Sequence, residues 1–386
     1  MRHLLSFTAA AAALVGLYAC SSNTGGGDGF GGGSGGGSGS SSGGSSSGST
    51  NSSSSGSPGS SSGTASSSSG SSSSGGSSSG SSSGTATCTT DTGPITGTVG
   101  NTGGSVSRLV FAVAGDTRPV NEDDPSSYPT SIITTIFQDI EKLTPRPVLV
   151  LGTGDYQFSS TGSNETSSQQ VPLYMTARQS YSGAFFPAMG NHECGVSGSF
   201  TTSDNNNCGP GNPGGSTPNY DNFMSLMLKP ISQTNPYYSI NVSAPDNSWT
   251  AKFVITAANS WTTAQQTWLT TTMAQKTTYT FVVRHEASDA TPPLPPGVAG
   301  VDAVLAQYPY TLLIVGHAHD YGHWSDEPQV VVFGNGGAPL SSGDYGFGLF
   351  AQRCDGAIVA DAIDYQTGAA DSEFHFVITP TGTITN

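Results

Sequence analysis

Five short, largely apolar runs, each followed closely by residues of metal-ligand type, constrain this chain more than any other feature. They are Leu109–Ala114 before Gly115-Asp116, Val148–Leu151 before Gly154-Asp155, Phe185–Met189 before Gly190-Asn191-His192-Glu193, Tyr279–Arg284 before His285, and Leu312–Val315 before Gly316-His317-Ala318-His319. Short apolar runs bounded by Gly, Asp and Asn read as buried strands. Strands that each deliver Asp, Asn or His at the carboxyl end predict a sheet that holds cations along one edge. Those residue types together form the ligand set of a hydrolytic two-metal site. The glycine preceding the ligand is expected to let the chain turn sharply off its strand.

The rest of the pattern fits an α/β domain. Ser131–Leu143 predicts an amphipathic helix, with Ile132, Ile133, Ile136, Phe137, Ile140 and Leu143 on one face, Thr130 or Ser131 as its cap, and Pro145 and Pro147 closing it. With its flanking strands it predicts a parallel pair joined by a right-handed crossover. Val171–Tyr181 reads as helical after a polar stretch, 159–168. Further strands are expected at Tyr237–Val242, Trp249–Ile255, Tyr279–Val283, Thr311–Val315, Val330–Phe333, Ala357–Asp364 and Phe374–Thr379, with helices at Thr263–Gln275 and Val301–Gln307. Strands alternating with helices, then a strand-rich tail, predict two packed mixed β-sheets flanked by helices.

Only part of the chain can build that domain. Residues 21–87 are almost entirely Ser, Gly and Thr. Such a segment has too little apolar surface to offset its conformational entropy and reads as a disordered tether. Residues 1–19 read as a signal peptide: Arg2 supplies the positive end, and Leu4–Tyr18 is too short for a membrane span. Leu17-Tyr18-Ala19-Cys20 resembles the bacterial lipobox, which implies acylation of Cys20 and a lipid anchor in the membrane. Ser21 resembles outer-membrane sorting. The expected product is an exported outer-membrane or cell-surface lipoprotein; simple secretion is the alternative. The folded domain is then 88–386.

Charge and cysteine usage narrow the partners. The net charge is -15 with only 11 Lys and Arg, so nucleic acid is not expected as a partner. An anionic substrate would have to be held by metal ions, a few arginines or helix amino termini. Without Cys20, four of the five cysteines remain, an even number in an exported chain. Three pairings are open. Cys194–Cys208 would close a Gly/Asn-rich loop, and Cys88–Cys354 would tie the start of the domain to its end; four free thiols are the alternative.

In this order the motifs resemble the calcineurin-like metallophosphoesterases, including the purple acid phosphatases. The family pattern is Asp-x-His or Gly-Asp, Gly-Asp, Gly-Asn-His-(Asp/Glu), a lone His, and Gly-His-x-His. Gln265-Gln266-Thr267-Trp268-Leu269 also resembles a Gln-x-x-Trp-Leu segment of many members. The resemblance implies a four-layer α/β/β/α sandwich and two metal ions, for which Zn, Mn and Fe all suit the ligand types. It implies that Asp155 bridges the metals, that Asp116 and His319 bind the first, and that Asn191, His285 and His317 bind the second. His192 would face the substrate, and a metal-activated hydroxide would cleave a phosphate mono- or diester, the monoester slightly favoured. Glu193 is expected to orient a neighbour.

Two positions depart from the family pattern. Arg118 stands where a ligand His is usual, and Phe158 where purple enzymes carry a tyrosine. The expected enzyme is therefore not purple, and its first metal has three evident protein ligands. Tyr156 is a further candidate ligand. Arg118 could instead grip substrate phosphate, or form a surface pair with Glu122, Asp123 or Asp124. Taken singly, Asp116 and Asp155 would more often be turn residues, and His285 a satisfied histidine. His323 reads as a loop residue near the site and His375 as a strand residue. Residues 195–219 and 289–300 could rim the site or be plain surface loops. Two rivals stand beside the hydrolase reading: a non-catalytic surface module binding phosphate, glycan or protein, and a metal hydrolase acting on another bond.

Overall fold

The computed structural model describes residues 90–160, 164–195, 202–341 and 343–385. The signal segment, Cys20, the Ser/Gly tract and Cys88 lie outside the described residues. Among the described residues no helix is long and apolar enough to cross a membrane.

The described part opens with a hairpin, β1 (Gly97–Gly100) and β2 (Gly103–Val106). It then alternates: β3 (Val110–Val113), α1 (Thr130–Lys142), β4 (Leu149–Gly152), α2 (Asn164–Ala177) and β5 (Ala184–Pro187). The short α3 (Pro218–Asn222) leads to β6 (Tyr238–Ser243), β7 (Thr250–Ile255), α4 (Thr263–Ala274), β8 (Tyr279–Val283), α5 (Pro296–Leu305) and β9 (Leu312–Val315). The tail adds β10 (Tyr321–His323), β11 (Val330–Phe333), β12 (Gly346–Gln352), β13 (Ile358–Asp364), β14 (Ala370–Ile378) and β15 (Ile384–Thr385).

Two mixed sheets result. One has the order β15-β14-β13-β12-β3-β4-β5, the other β1-β2-β6-β7-β8-β9-β11-β10. Strands β3, β4 and β5 run parallel, as expected for the first crossover unit, and β7, β8 and β9 run parallel in the second sheet. The sheets meet face to face through aromatic rings. Phe111 on β3 lies 5.1 Å from Phe253 on β7 and 4.9 Å from Phe281 on β8, both edge-on, and stacks at 4.7 Å on Phe350 of β12. Such pairs add about 1 kcal/mol each beyond simple burial.

Helices cover both outer faces. α1 buries Ile133, Ile136, Phe137 and Ile140, and Phe137 reaches Tyr174 of α2 and Phe185 of β5. On the other side Leu269 and Met273 of α4 and Val301 and Val304 of α5 pack on Val254, Val282 and Leu313. The expected arrangement of two packed mixed sheets between helices is therefore present. β3, β4, β8 and β9 are buried on both faces, which is why they read as unbroken apolar runs.

Several details differ from the sequence expectation. α2 begins at Asn164, inside the polar stretch and seven residues before the expected start at Val171. Its first turns face inward with Ser167 and Gln170, which bond to Gln157 and Phe158, and the inner face becomes apolar only from Val171, with Tyr174 and Ala177. α1 has no Thr130 or Ser131 side-chain cap; Ile133 N–H instead donates to Pro129 O. α5 begins at Pro296, so the last five residues of the Pro-rich segment 289–300 are helix. β12 pairs with β3 at the centre of its sheet, yet Gly346 and Gly348 hid its pattern. His323 lies on β10, with its ring stacked 4.1 Å from Phe376 rather than in a loop at the site. His375 is on β14 as expected, 2.7 Å from Asp361.

Candidate metal centre

The carboxyl ends of β3, β4 and β5 in one sheet and of β8 and β9 in the other point to one place. Asp116 follows β3, Asp155 follows β4, and Asn191 and His192 open the turn after β5. His285 follows β8, and His317 and His319 follow β9. All six candidate ligands converge there. Asn191 Oδ1 lies 3.0 Å from His285 Nε2 and 3.1 Å from His317 Nδ1, and the two imidazole nitrogens are 3.2 Å apart. His285 Nε2 is also 3.3 Å from Asp155 Oδ1. On the other side His319 Nε2 stands 3.7 Å from Asp116 Oδ1. Two groups of donors are near enough to share a cation: Asp155 with His285 and His317, and Asp116 with Asp155 and His319. Asp155 belongs to both.

The donor chemistry fits a metal. His285 Nδ1 donates to Thr153 O at 2.8 Å, and His319 Nδ1 donates to Pro339 O at 2.8 Å. Each bond fixes the tautomer and turns the other ring nitrogen toward the carboxylates. A neutral His285 would aim an Nε2 lone pair at Asn191 Oδ1, Asp155 Oδ1 and His317 Nδ1 at once. Only a positive centre, a proton or a metal ion, reconciles those four atoms.

The backbone at the ligands is unusual. Asp116, Asp155, His317 and His319 all have left-handed φ, at 56°, 57°, 71° and 51°. Each costs about 1–3 kcal/mol and persists only where surrounding bonds over-determine it. Here Asp116 N–H donates to Gly154 O and Thr117 N–H to Asp155 O, both at 3.0 Å. His317 N–H donates to the Asp116 carboxylate at 3.0 Å. The turn expected at the preceding glycine therefore sits on the ligand itself in most cases; only Gly154, at φ 117°, takes it. Gly115, Gly190 and Gly316 are needed for space. A Cβ on Gly190 would lie 2.3 Å from Asp155 Oδ1, and one on Gly316 2.3 Å from Asp116 Oδ2.

A second layer holds the ligands. Glu193 is fully buried and accepts three backbone N–H bonds, from Tyr156 at 2.9 Å on one oxygen and from Asp155 at 2.9 Å and Gly190 at 2.8 Å on the other. This is the orienting role expected of it. Other supports had no clear sequence signal. Arg284 is fully buried and ties the turn after His285 through Glu286 O, Val298 O, Ser288 Oγ and Asp302. Asn219 donates to His192 O at 3.0 Å. Thr153 shows a signal only in hindsight, as the polar residue between Gly152 and Gly154.

His192 is buried, with Nε2 3.7 Å from Asp155 Oδ2 and its ring edge-on to Phe158 at 4.9 Å. Its Nδ1 has no partner among the described residues. Arg118 lies over Phe158 at 4.5 Å. It forms no pair with Glu122, Asp123 or Asp124; Asp123 accepts from Ser160 N–H and Asp124 from Ser126. Tyr156 is not at the site. Its ring packs against Tyr174 at 4.8 Å in the aromatic cluster on the far side of β4.

No protein-family model matches the chain, and no curated protein matches it. Solved structures resemble it at low identity. A purple acid phosphatase from yellow lupin (Lupinus luteus) seeds is 15% identical, with a TM-score of 0.48 over 72% of this chain. The chain spans only 56% of that protein's length. A dimetal phosphatase from Danio rerio is 13% identical, over 70% of this chain and 99% of its own, with a TM-score of 0.47. GAP50, the anchor in the inner membrane complex of Plasmodium, is 12% identical, over 71% of this chain and 89% of its own, with a TM-score of 0.46. Likenesses this distant leave function to be argued from the site's own residues.

The charges at the site are strongly displaced. Burial raises the Asp116 carboxyl to about 7, opposed by His285 and reinforced by Asp155. Burial also raises Asp155, but His285 and His192 override it and hold that group well below the carboxylate range. Burial works against a charge on His285, yet Asp155 and Asp116 push its ring well above the ordinary value. Burial holds His192 and His317 low, and brings His319 down to about 4 with help from Arg118. His192, His317 and His319 are thus held toward the neutral form in which histidine binds a metal, whereas His285 is held toward the protonated form and would exchange its proton for the metal.

The disulfide Cys194–Cys208 is formed, its ends at a sequence separation of 14. Cys354 is also disulfide-bonded, while the Cys88 end of the expected second pair lies outside the described residues. Cys194 follows the Asn191–Glu193 turn directly, and Cys208 N–H donates to Asn259 O at 2.8 Å. Asn259 in turn donates to Asn206 and to Glu286, next to His285. Through the Asn259 hydrogen bonds the bridge connects the ligand turn after β5 with the turn after β8. Replacing both cysteines by serine is expected to lower unfolding free energy by about 3 kcal/mol in a denaturant titration. A loss below about 1 kcal/mol would mean that the Asn259 hydrogen bonds hold the loop without it.

Proposed function

We propose that the protein is a metal-dependent phosphoesterase acting on phosphate monoesters or diesters. The observation that carries this reading is the sharing of Asp155 between two donor groups at one sheet edge. In it Asp116 and His319 hold a first metal, and Asn191, His285 and His317 a second. When bound, the two ions supply a water acidic enough to act as nucleophile near neutral pH and positive charge for the phosphoryl oxygens. The remaining work falls to the chain. Asp155 offsets the repulsion between the two cations. Glu193 and Arg284 fix the ligand turns. Burial disfavours charge on His192, and its unpartnered Nδ1 suits it to stabilise charge on the leaving oxygen by a hydrogen bond.

The test is elemental analysis of the purified protein with turnover of p-nitrophenyl phosphate and bis-p-nitrophenyl phosphate. Two metals per chain and hydrolysis of either ester are expected. A binding module is the second reading, favoured by Arg118, which leaves the first group with three protein donors; one metal and no turnover would support it. His192→Ala is expected to lower kcat about 100-fold with metal content unchanged. Loss of metal from that variant would make His192 a ligand instead.

An exported protein is part of the same proposal. The buried disulfide supports an oxidising compartment. The lipid anchor at Cys20 and the tether ending near residue 87 rest on the sequence pattern.

A further inference from the structure

Arg118 and Phe158 form a feature that the ligand set does not use. The ion-paired arginines among the described residues are Arg108, Arg146, Arg284 and Arg353; Arg118 is not one of them. Its Nη1 donates only to the adjacent Pro119 O, at 3.2 Å, and its Nε is buried without a partner. The platform beneath it is rigid. Gln170, itself fully buried, accepts from Phe158 N–H at 2.6 Å and donates to Phe158 O at 3.1 Å, and Asp123 N–H donates to the same carbonyl at 2.9 Å. That ring and His192 stand nearly perpendicular with centroids 4.9 Å apart, so guanidinium, phenyl and imidazole adjoin in a row leading to Asp155.

A half-buried arginine held on an aromatic face beside a cation site, with no carboxylate of its own, keeps its fork open to an anion. We infer that Arg118, held on Phe158, is the specificity-determining contact that favours terminal phosphoryl groups over phosphodiesters. The inference rests on the phosphoesterase reading and extends it. The reason is a count of oxygens and charge. A terminal phosphoryl group offers three free oxygens and about -1.5 to -2 charge near pH 7. A diester offers two free oxygens and a single charge. The guanidinium fork takes two oxygens at once. With the cation-binding edge also drawing on the same oxygens, a diester cannot serve both, whereas a terminal phosphoryl can. The nearness of Arg118 to the site is set by the chain, two residues after Asp116, and by the Phe158 ring that it shares with His192.

The experiment compares the metal-loaded protein with Arg118→Ala, Arg118→Lys and Phe158→Leu. Three readouts are used: kcat/KM for the mono- and bis-p-nitrophenyl esters, calorimetric affinity for inorganic phosphate, and metal content. Arg118→Ala is expected to lower the monoester-to-diester ratio about 30-fold and to weaken phosphate binding by a similar factor, with metal retained. Arg118→Lys keeps the charge without the fork and should fall between. Phe158→Leu should move both readouts in the same direction by a smaller factor. An unchanged ratio, an equal fall for both esters, or loss of metal would overturn the inference. If the unaltered protein hydrolyses neither ester, the phosphoesterase reading fails. Phosphate affinity then still decides the role of Arg118, and an Arg118→Ala protein that binds phosphate as well as the parent overturns it.

Discussion

Asp155→Asn is expected to reduce turnover on the order of 10⁴-fold and to lower metal content below one ion per chain, with the fold retained. The substitution keeps the shape of the side chain and removes its charge. Asp155 Oδ1 accepts from His192 N–H at 3.1 Å and lies 3.3 Å from His285 Nε2; an amide oxygen can keep the first bond. It cannot offset two cations. The surrounding histidines hold Asp155 well below the usual carboxylate range, so the group is an anion at any working pH, and Asn removes a full charge from a buried site. Circular dichroism, elemental analysis and ester turnover would be read on one preparation. Full activity in this variant would refute the bridging role.

Glu193→Ala is expected to lower unfolding free energy by about 4 kcal/mol and to abolish tight metal binding. The carboxylate takes three backbone N–H bonds at 2.8–2.9 Å from Gly190, Asp155 and Tyr156, and none of its atoms meets solvent. Alanine leaves those donors unpaired, at about 1–3 kcal/mol for each that finds no water. It also frees the left-handed Asp155 backbone, whose strain is held in check by these bonds. Burial and the nearby Asp155 raise the Glu193 carboxyl to about 8, against the pull of the three amides. A denaturant titration measures the effect. A loss under about 1 kcal/mol would show that the turns after β4 and β5 hold without Glu193.

Strands that carry ligands were legible because burial on both faces removes polar alternation and leaves four apolar residues in a row, as in Leu149–Gly152 and Leu312–Val315. Elements with a polar inner face were not. α2 was half hidden because Ser167 and Gln170 face inward to bond, and β12 because glycines leave room for neighbouring rings. A Cβ on Gly348, for example, would lie 2.5 Å from the Phe333 ring. The motif glycines serve a purpose other than the turn expected of them: three of them clear space for carboxylates or Thr153, while the left-handed turn falls on Asp116, Asp155, His317 and His319.

The amino-acid order alone determined which residue types arrive at strand ends, because a buried strand and the turn that stops it are local in sequence. It also set the chemistry those types favour. Tertiary structure decided everything that depends on distant neighbours. Asn191 meets His285 across 94 residues, and His317 N–H meets the Asp116 carboxylate across 201. The direction of Tyr156 into the aromatic cluster, the unpaired state of Arg118 on Phe158 and the span of Glu193 over three amides were settled in the same way. Each is a choice among partners that only packing brings within a few ångströms of one another.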